Sequence, residues 1–245
     1  MSTDLNQGGT SPLIAASRRL FLRRSAMLTV AGGSAAVLSG SLSRIARADN
    51  GVLSGSALPA PATQRERFLE IKKHENDHVN ALVAALGGNA RPKPNFQNIV
   101  KTSYSGFIQT SQALENTGVG AYLGAAPVIF NPAYLAAAGS ILTIEARHAG
   151  YLNTLEADAI TANALDRTSN PSFDMALTAD QVIAAAGPFI KDLNGGPAIG
   201  YSNTPSDEND IAILNFALAL EYLEAEYYNM NVHLFLGGGG NANSQ

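Results

Sequence analysis

Four glutamates of this chain stand in the middle of apolar helical stripes, and that placement limits the fold more than any other feature. Apolar residues recur three or four apart in four long segments between residues 62 and 236. In the first, Phe68, Ile71, Glu75, His78, Leu82 and Leu86 share one face. In the second, running from about Phe96 to Leu123, the face carries Tyr104, Ile108, Ser111, Glu115, Val119 and Tyr122. The third opens at Pro132, which suits a first helical turn; its stripe is Ala138, Ile141, Glu145, His148, Leu152 and Leu155. The fourth starts near Ser206 with Asp207, Glu208 and Asp210 in its first turn, where the helix dipole favours acids. Leu214, Leu218, Glu221, Ala225 and Tyr228 mark its inner face. A long polar stretch, about 161–206, separates the third and fourth segments, with room for a short helix after Thr178. No segment reads as a strand. The pattern predicts an all-α four-helix bundle with one long irregular crossover.

An ionised carboxylate buried without a partner is very costly. Four converging on one core would exceed the ~10 kcal/mol that holds a typical domain together. Two divalent cations remove the conflict, because their charge cancels that of the four carboxylates. Two of the glutamates belong to Glu-x-x-His motifs, Glu75 with His78 and Glu145 with His148, and this spacing puts both side chains on one helix face. One such motif alone is more often a solvated pair. Two of them, aligned on inward stripes with Glu115 and Glu221, point to a metal centre ligated by Glu75, His78, Glu115, Glu145, His148 and Glu221. The chain also echoes itself: Ala113-Leu114-Glu115 and Ala219-Leu220-Glu221 are each followed, seven residues after the Glu, by Tyr122 and Tyr228. These tyrosines are either plain core aromatics or hydrogen-bond partners of the site. His74 reads as a surface residue beside the stripe, and His233 as a cation suited to a helix C-terminus. Glu224, one turn after Glu221, is either an acid at the stripe's edge or a seventh ligand.

Composition removes several alternatives. With no cysteine in 245 residues, disulfides, iron–sulfur clusters, thiol nucleophiles and rubredoxin-type iron are excluded. Residues 1–48 hold six arginines and one acid. The remainder has ten basic and nineteen acidic residues, a formal charge of −9 that should repel nucleic acid and anionic membrane.

Ser17-Arg18-Arg19-Leu20-Phe21-Leu22-Arg23 resembles a twin-arginine export signal. A weakly apolar stretch follows, about Ser25 to Leu42, and then Ala46-Arg47-Ala48, a small-x-small cleavage site. The stretch is too short and glycine-rich for a permanent membrane span. The expected organisation is a signal peptide over 1–48, a linker over 49–61, the bundle over 62–236 and a flexible tail over 237–245. The mature protein would be periplasmic or extracellular, with the twin-arginine machinery as a partner.

Four segments carry a family resemblance: His74-Glu75-x-x-His78-Val79, Leu114-Glu115-Asn116-Thr117-Gly118-Val119 with Tyr122, Ile144-Glu145-Ala146-Arg147-His148-Ala149, and the run from Ile213 to Tyr228. They resemble the ferritin-like family that includes exported bacterial and plant desiccation-related proteins. The resemblance implies a two-metal centre of iron or manganese, with one Glu from each of two helices and a Glu-x-x-His from each of the others. It departs in order. The segment at 207–236 stands last here but first in the family, so the chain resembles a circular permutant. Close termini make such a rearrangement tolerable. Exchange of the last helix between subunits, which would make a homo-oligomer, is the alternative. The function implied is O2- or peroxide-dependent redox chemistry in an oxidase, peroxidase or catalase-like protein of stress protection. The other reading is a non-enzymatic desiccation-associated protein whose metal is structural.

Overall fold

The computed structural model describes residues 63–237. The signal and cleavage site, the linker through residue 61 and the tail from 238 lie outside the described residues. Four long helices dominate: α1 (Gln64–Leu86), α2 (Tyr104–Ala125), α3 (Pro132–Leu155) and α5 (Asp207–Leu236), with a short α4 (Ala179–Ala186) in the crossover.

Each start has a local cause. Thr63 accepts from Glu66 N while Glu66 Oε2 accepts from Thr63 N, a capping box that opens α1. Ser103 accepts from Gly106 N at the start of α2, and Thr178 with Gln181 repeats the capping box at α4. Asn131 caps α3, with Pro132 in its first turn. Asp210 in α5 then accepts from Phe130 N and Asn131 N, both at 2.7 Å, and ties the start of α3 to the start of α5.

Two expectations need correction. The second helix begins at Tyr104, not near Phe96, because Asn98 adopts a left-handed φ of 58° and breaks the run. Tyr104 is consequently 38% exposed rather than part of the inner face. A small sheet also exists: β1 (Asn95–Phe96) pairs antiparallel with β2 (Ile190–Asp192), pinning the first connector to the crossover.

Helix α1 packs on α5, and α2 on α3. Two apolar clusters lie at opposite ends of the bundle. One gathers Phe68, Phe107, Leu152, Leu223 and Tyr227, and the other Leu82, Tyr122, Ile141, Leu214 and Leu218. Their membership shows that α1 and α2 run one way and α3 and α5 the other. The four glutamates lie in the layer between the clusters. Burying a side chain such as Phe68 or Leu218, both at 0% exposure, contributes about 1.5–3 kcal/mol, so the apolar ends carry the stability that the polar middle consumes.

The crossover closes the α2 side. Leu177 N donates to Gly120 O at 2.9 Å, and its backbone lies so close to α2 that a Cβ at Gly124 would collide with the Leu177 carbonyl. Glycine at 124 therefore allows the crossover to seat. No described helix is long and apolar enough to cross a membrane.

Candidate metal centre

Glu75, Glu115, Glu145 and Glu221 are all buried to 1% exposure or less, and His78 and His148 are buried beside them. Each long helix contributes one of these four carboxylates because its apolar stripe carries the Glu inward with the apolar residues around it. The six residues converge on one volume in two sets. Glu75, His78, Glu145 and Glu221 form one, and Glu75, Glu115, Glu145 and His148 the other; in each, one ligand atom per residue lies within 4.8 Å of all the rest. Glu75 and Glu145 belong to both sets, which is the geometry two carboxylates need to bridge two ions.

His78 Nδ1 lies 3.2 Å from Glu75 Oε2, 3.1 Å from Glu145 Oε1 and 3.2 Å from Glu221 Oε2. His148 Nδ1 lies 3.0 Å from both Glu75 Oε1 and Glu115 Oε2. An imidazole nitrogen carries at most one hydrogen, so it cannot serve three carboxylate oxygens, or even two, with well-directed bonds. Both oxygens of Glu145 and Oε1 of Glu75 are left buried without a directed donor. Such orphaned acceptors are costly, and a cation amid each set would satisfy them. The donor set of carboxylate oxygens and imidazole nitrogens suits iron or manganese.

The carboxylates beside each imidazole dominate the electrostatics of the metal-free site. Burial pushes His78 down, but bonds to Glu221 and Glu75 raise it to about 10. Burial likewise opposes protonation of His148, and Glu115 and Glu75 raise it to about 10. Burial works to raise Glu75, yet His148 and His78 hold its carboxyl at about 2. Glu145 is pushed well above the carboxylate range by burial and by the charges of Glu75, Glu115, Glu221 and Glu224.

The tyrosines are hydrogen-bond partners of the site, and they act reciprocally. Tyr122 donates to Glu221 Oε1 at 2.6 Å and Tyr228 donates to Glu115 Oε1 at 2.7 Å. The tyrosine that follows each lone Glu thus serves the Glu of the other helix pair. Two readings from the sequence change. His74 is half-buried, and its Nδ1 lies 3.0 Å from His148 Nε2 with the two rings stacked. Glu224 is 3% exposed, not at an exposed edge, and burial and the neighbouring carboxylates push it well above its ordinary value. It belongs to neither four-atom set. Its carboxylate fits because α2 has glycine there: a Cβ on Gly118 would stand 3.0 Å from Glu145 Oε2 and 3.5 Å from Glu224 Oε1.

The profile of the ferritin-like domain family matches residues 18–158, more than half of the chain. This chain belongs to the ferritin-like domain family. Among curated proteins and among solved structures, no match was found. The family match spans α1, α2 and α3, and with them five of the six converging residues. The sixth, Glu221, comes from α5, beyond the matched residues, and it stands in the first four-atom set.

Proposed function

We propose that this ferritin-like protein carries two divalent iron or manganese ions, ligated by Glu75, His78, Glu115, Glu145, His148 and Glu221, and uses them in O2- or peroxide-dependent redox chemistry after export. The observation that carries the reading is the pair of four-atom sets sharing Glu75 and Glu145. Two adjacent redox metals supply two equivalents to one oxidant. In this chain Glu75 and Glu145 would bridge, His78 with Glu221 would complete one position, and His148 with Glu115 the other. Tyr122 and Tyr228 hold the lone glutamates in place. Ala186 of the crossover lines the face near Gly118 and Glu224, and Leu177 covers Gly120 and Gly124.

The helix order supports a cyclic shift relative to the family. Helix α5 packs on α1 although residues 87–206 lie between them, and the family match, which begins at residue 18, stops at residue 158. Because α5 docks within its own chain, exchange between subunits is not required to build the site. Export rests on the Arg18-Arg19 signal and the Ala46-Arg47-Ala48 site; N-terminal sequencing of secreted material should find a start at Asp49, and retention from Met1 would refute it.

Metal analysis of the mature protein, with an optical scan before and after peroxide, tests the function. About two iron or manganese ions per chain with a peroxide-dependent spectral change are expected. A protein that holds metal but stays spectrally inert to oxidant favours the protective, non-enzymatic role.

A further inference from the structure

The two Glu-x-x-His helices, α1 and α3, leave a groove between them. In it lies a cavity of about 290 Å³ whose lining includes Ile71, His74, Ile144, Arg147, His148 and Tyr151. At ~30 Å³ per water, this space holds about ten waters or one six-membered ring bearing a carboxylate. Its walls, Ile71, Ile144 and the Tyr151 ring, are apolar. Its polar groups are mostly donors. Glu70 is the only acid in the lining, and it is engaged by Arg67 at 2.8 Å. Arg147 bonds only its own helix, at Thr143 O, and forms no ion pair among the described residues. With Arg67 paired to Glu70, Arg147 is the cation left at the mouth of these apolar walls, a combination suited to a small organic anion.

The floor of the cavity is coupled to the metal centre on one side only. The two motifs correspond at an offset of seventy residues, Glu75 to Glu145 and His78 to His148, so the counterpart of His74 is Ile144. Only His148 therefore has an imidazole behind it. If Nδ1 of His148 binds metal, its proton must sit on Nε2 and be donated to His74 Nδ1, 3.0 Å away. The proton of His74 is then fixed on Nε2, free to be donated to a ligand in the groove.

We propose that the α1/α3 groove binds a small organic carboxylate, and that its occupancy is relayed to the metal position of Glu115 and His148 through His74. The relay rests on the metal reading given above; the binding pocket does not. An anion accepting from His74 Nε2 makes His74 Nδ1 a stronger acceptor and so makes His148 a more electron-rich ligand.

Benzoate is the probe, titrated by calorimetry into metal-free mature protein and by visible spectroscopy into protein loaded with cobalt(II). Saturable one-to-one binding is expected, weakened at least tenfold by Arg147→Met and not displaced by equimolar inorganic phosphate. In the cobalt-loaded protein benzoate should shift the visible bands, and His74→Leu, with its helicity verified by circular dichroism, should abolish the shift. No saturable binding to metal-free protein, or binding indifferent to Arg147→Met, overturns the pocket. Displacement by phosphate overturns its preference for an organic anion. Binding with no spectral shift, or an equal shift in His74→Leu, overturns the relay. A protein that takes no metal at all sinks the metal reading and the relay together, while the metal-free titration still decides the pocket.

Discussion

Replacing Tyr228 by Phe removes one oxygen from the bundle core and leaves its packing intact. The ring is fully buried and held by Phe68 at 6.3 Å, Phe107 at 6.4 Å and Tyr227 at 5.5 Å between centroids, so it has no reason to move. What is lost is the 2.7 Å bond from the phenol to Glu115 Oε1. A hydrogen bond to a charged acceptor is worth about 1.5–3 kcal/mol, and partners that orient a ligand typically govern about 10–100-fold in metal affinity. Tyr228→Phe should therefore weaken one of two metal-binding steps, the one that uses Glu115 and His148, by that factor. Tyr122→Phe should weaken the other, through Glu221, by a similar factor, and the double variant should weaken both. Competition against a chelator, resolved into two steps, measures this. Affinities within twofold of the parent in both single variants would refute the reasoning. So would a loss confined to the thermal stability of the metal-free protein, because the tyrosines would then be acting by packing alone.

Three further outcomes follow from the same geometry. Glu145→Gln should raise the melting temperature of the metal-free protein, since it removes a crowded buried carboxylate with no directed donor, and should lower metal content; calorimetry and metal analysis read the two opposite effects. Gly124→Ala should destabilise by about 1–3 kcal/mol in urea unfolding, because the new Cβ collides with the Leu177 carbonyl and lifts the crossover from α2. His78 and His148 are raised to about 10 in the metal-free protein, so the stability they add is full below their unfolded value of ~6.5 and is lost as pH rises through about 10. Denaturant titrations should show the metal-free protein weakening from pH 7 to 10, whereas metal binding, which must displace those protons, should tighten over the same range.

The six converging residues were legible in the sequence because the helical period is a local property. A Glu placed three or four residues from an inward apolar residue, as Glu75 is from Ile71, Glu115 from Val119, Glu145 from Ile141 and Glu221 from Leu218, goes where that residue goes, and in all four helices it does. What escaped depends on contacts between helices. His74 lies beside the stripe of α1, and nothing in its neighbours signals that His148 of α3 meets it. The seven-residue spacing from Glu115 to Tyr122 and from Glu221 to Tyr228 was visible, but local sequence could not show that each phenol crosses to the other pair's carboxylate. The depth of burial of Glu224 was not legible because α5 is covered on more than one side. Leu220, Leu223 and Glu224 face α2 and Ala186 of the crossover, a burial that a single apolar stripe does not announce. The pairing of Asn95–Phe96 with Ile190–Asp192 joins segments too short to carry any alternation of their own. The second helix was drawn too early for a related reason: apolar residues such as Ile99, which is buried from a loop, mimic the helical period.

The central claim is a shared pair of carboxylates between two metals, and an anomalous-difference map from a crystal of the iron- or manganese-loaded mature protein tests it most directly. The account predicts two peaks about 3.5–4 Å apart, with Glu75 and Glu145 touching both, His78 and Glu221 on one, and His148 and Glu115 on the other. A single peak, two peaks without a shared carboxylate, or Glu224 in the place of Glu221 would contradict it.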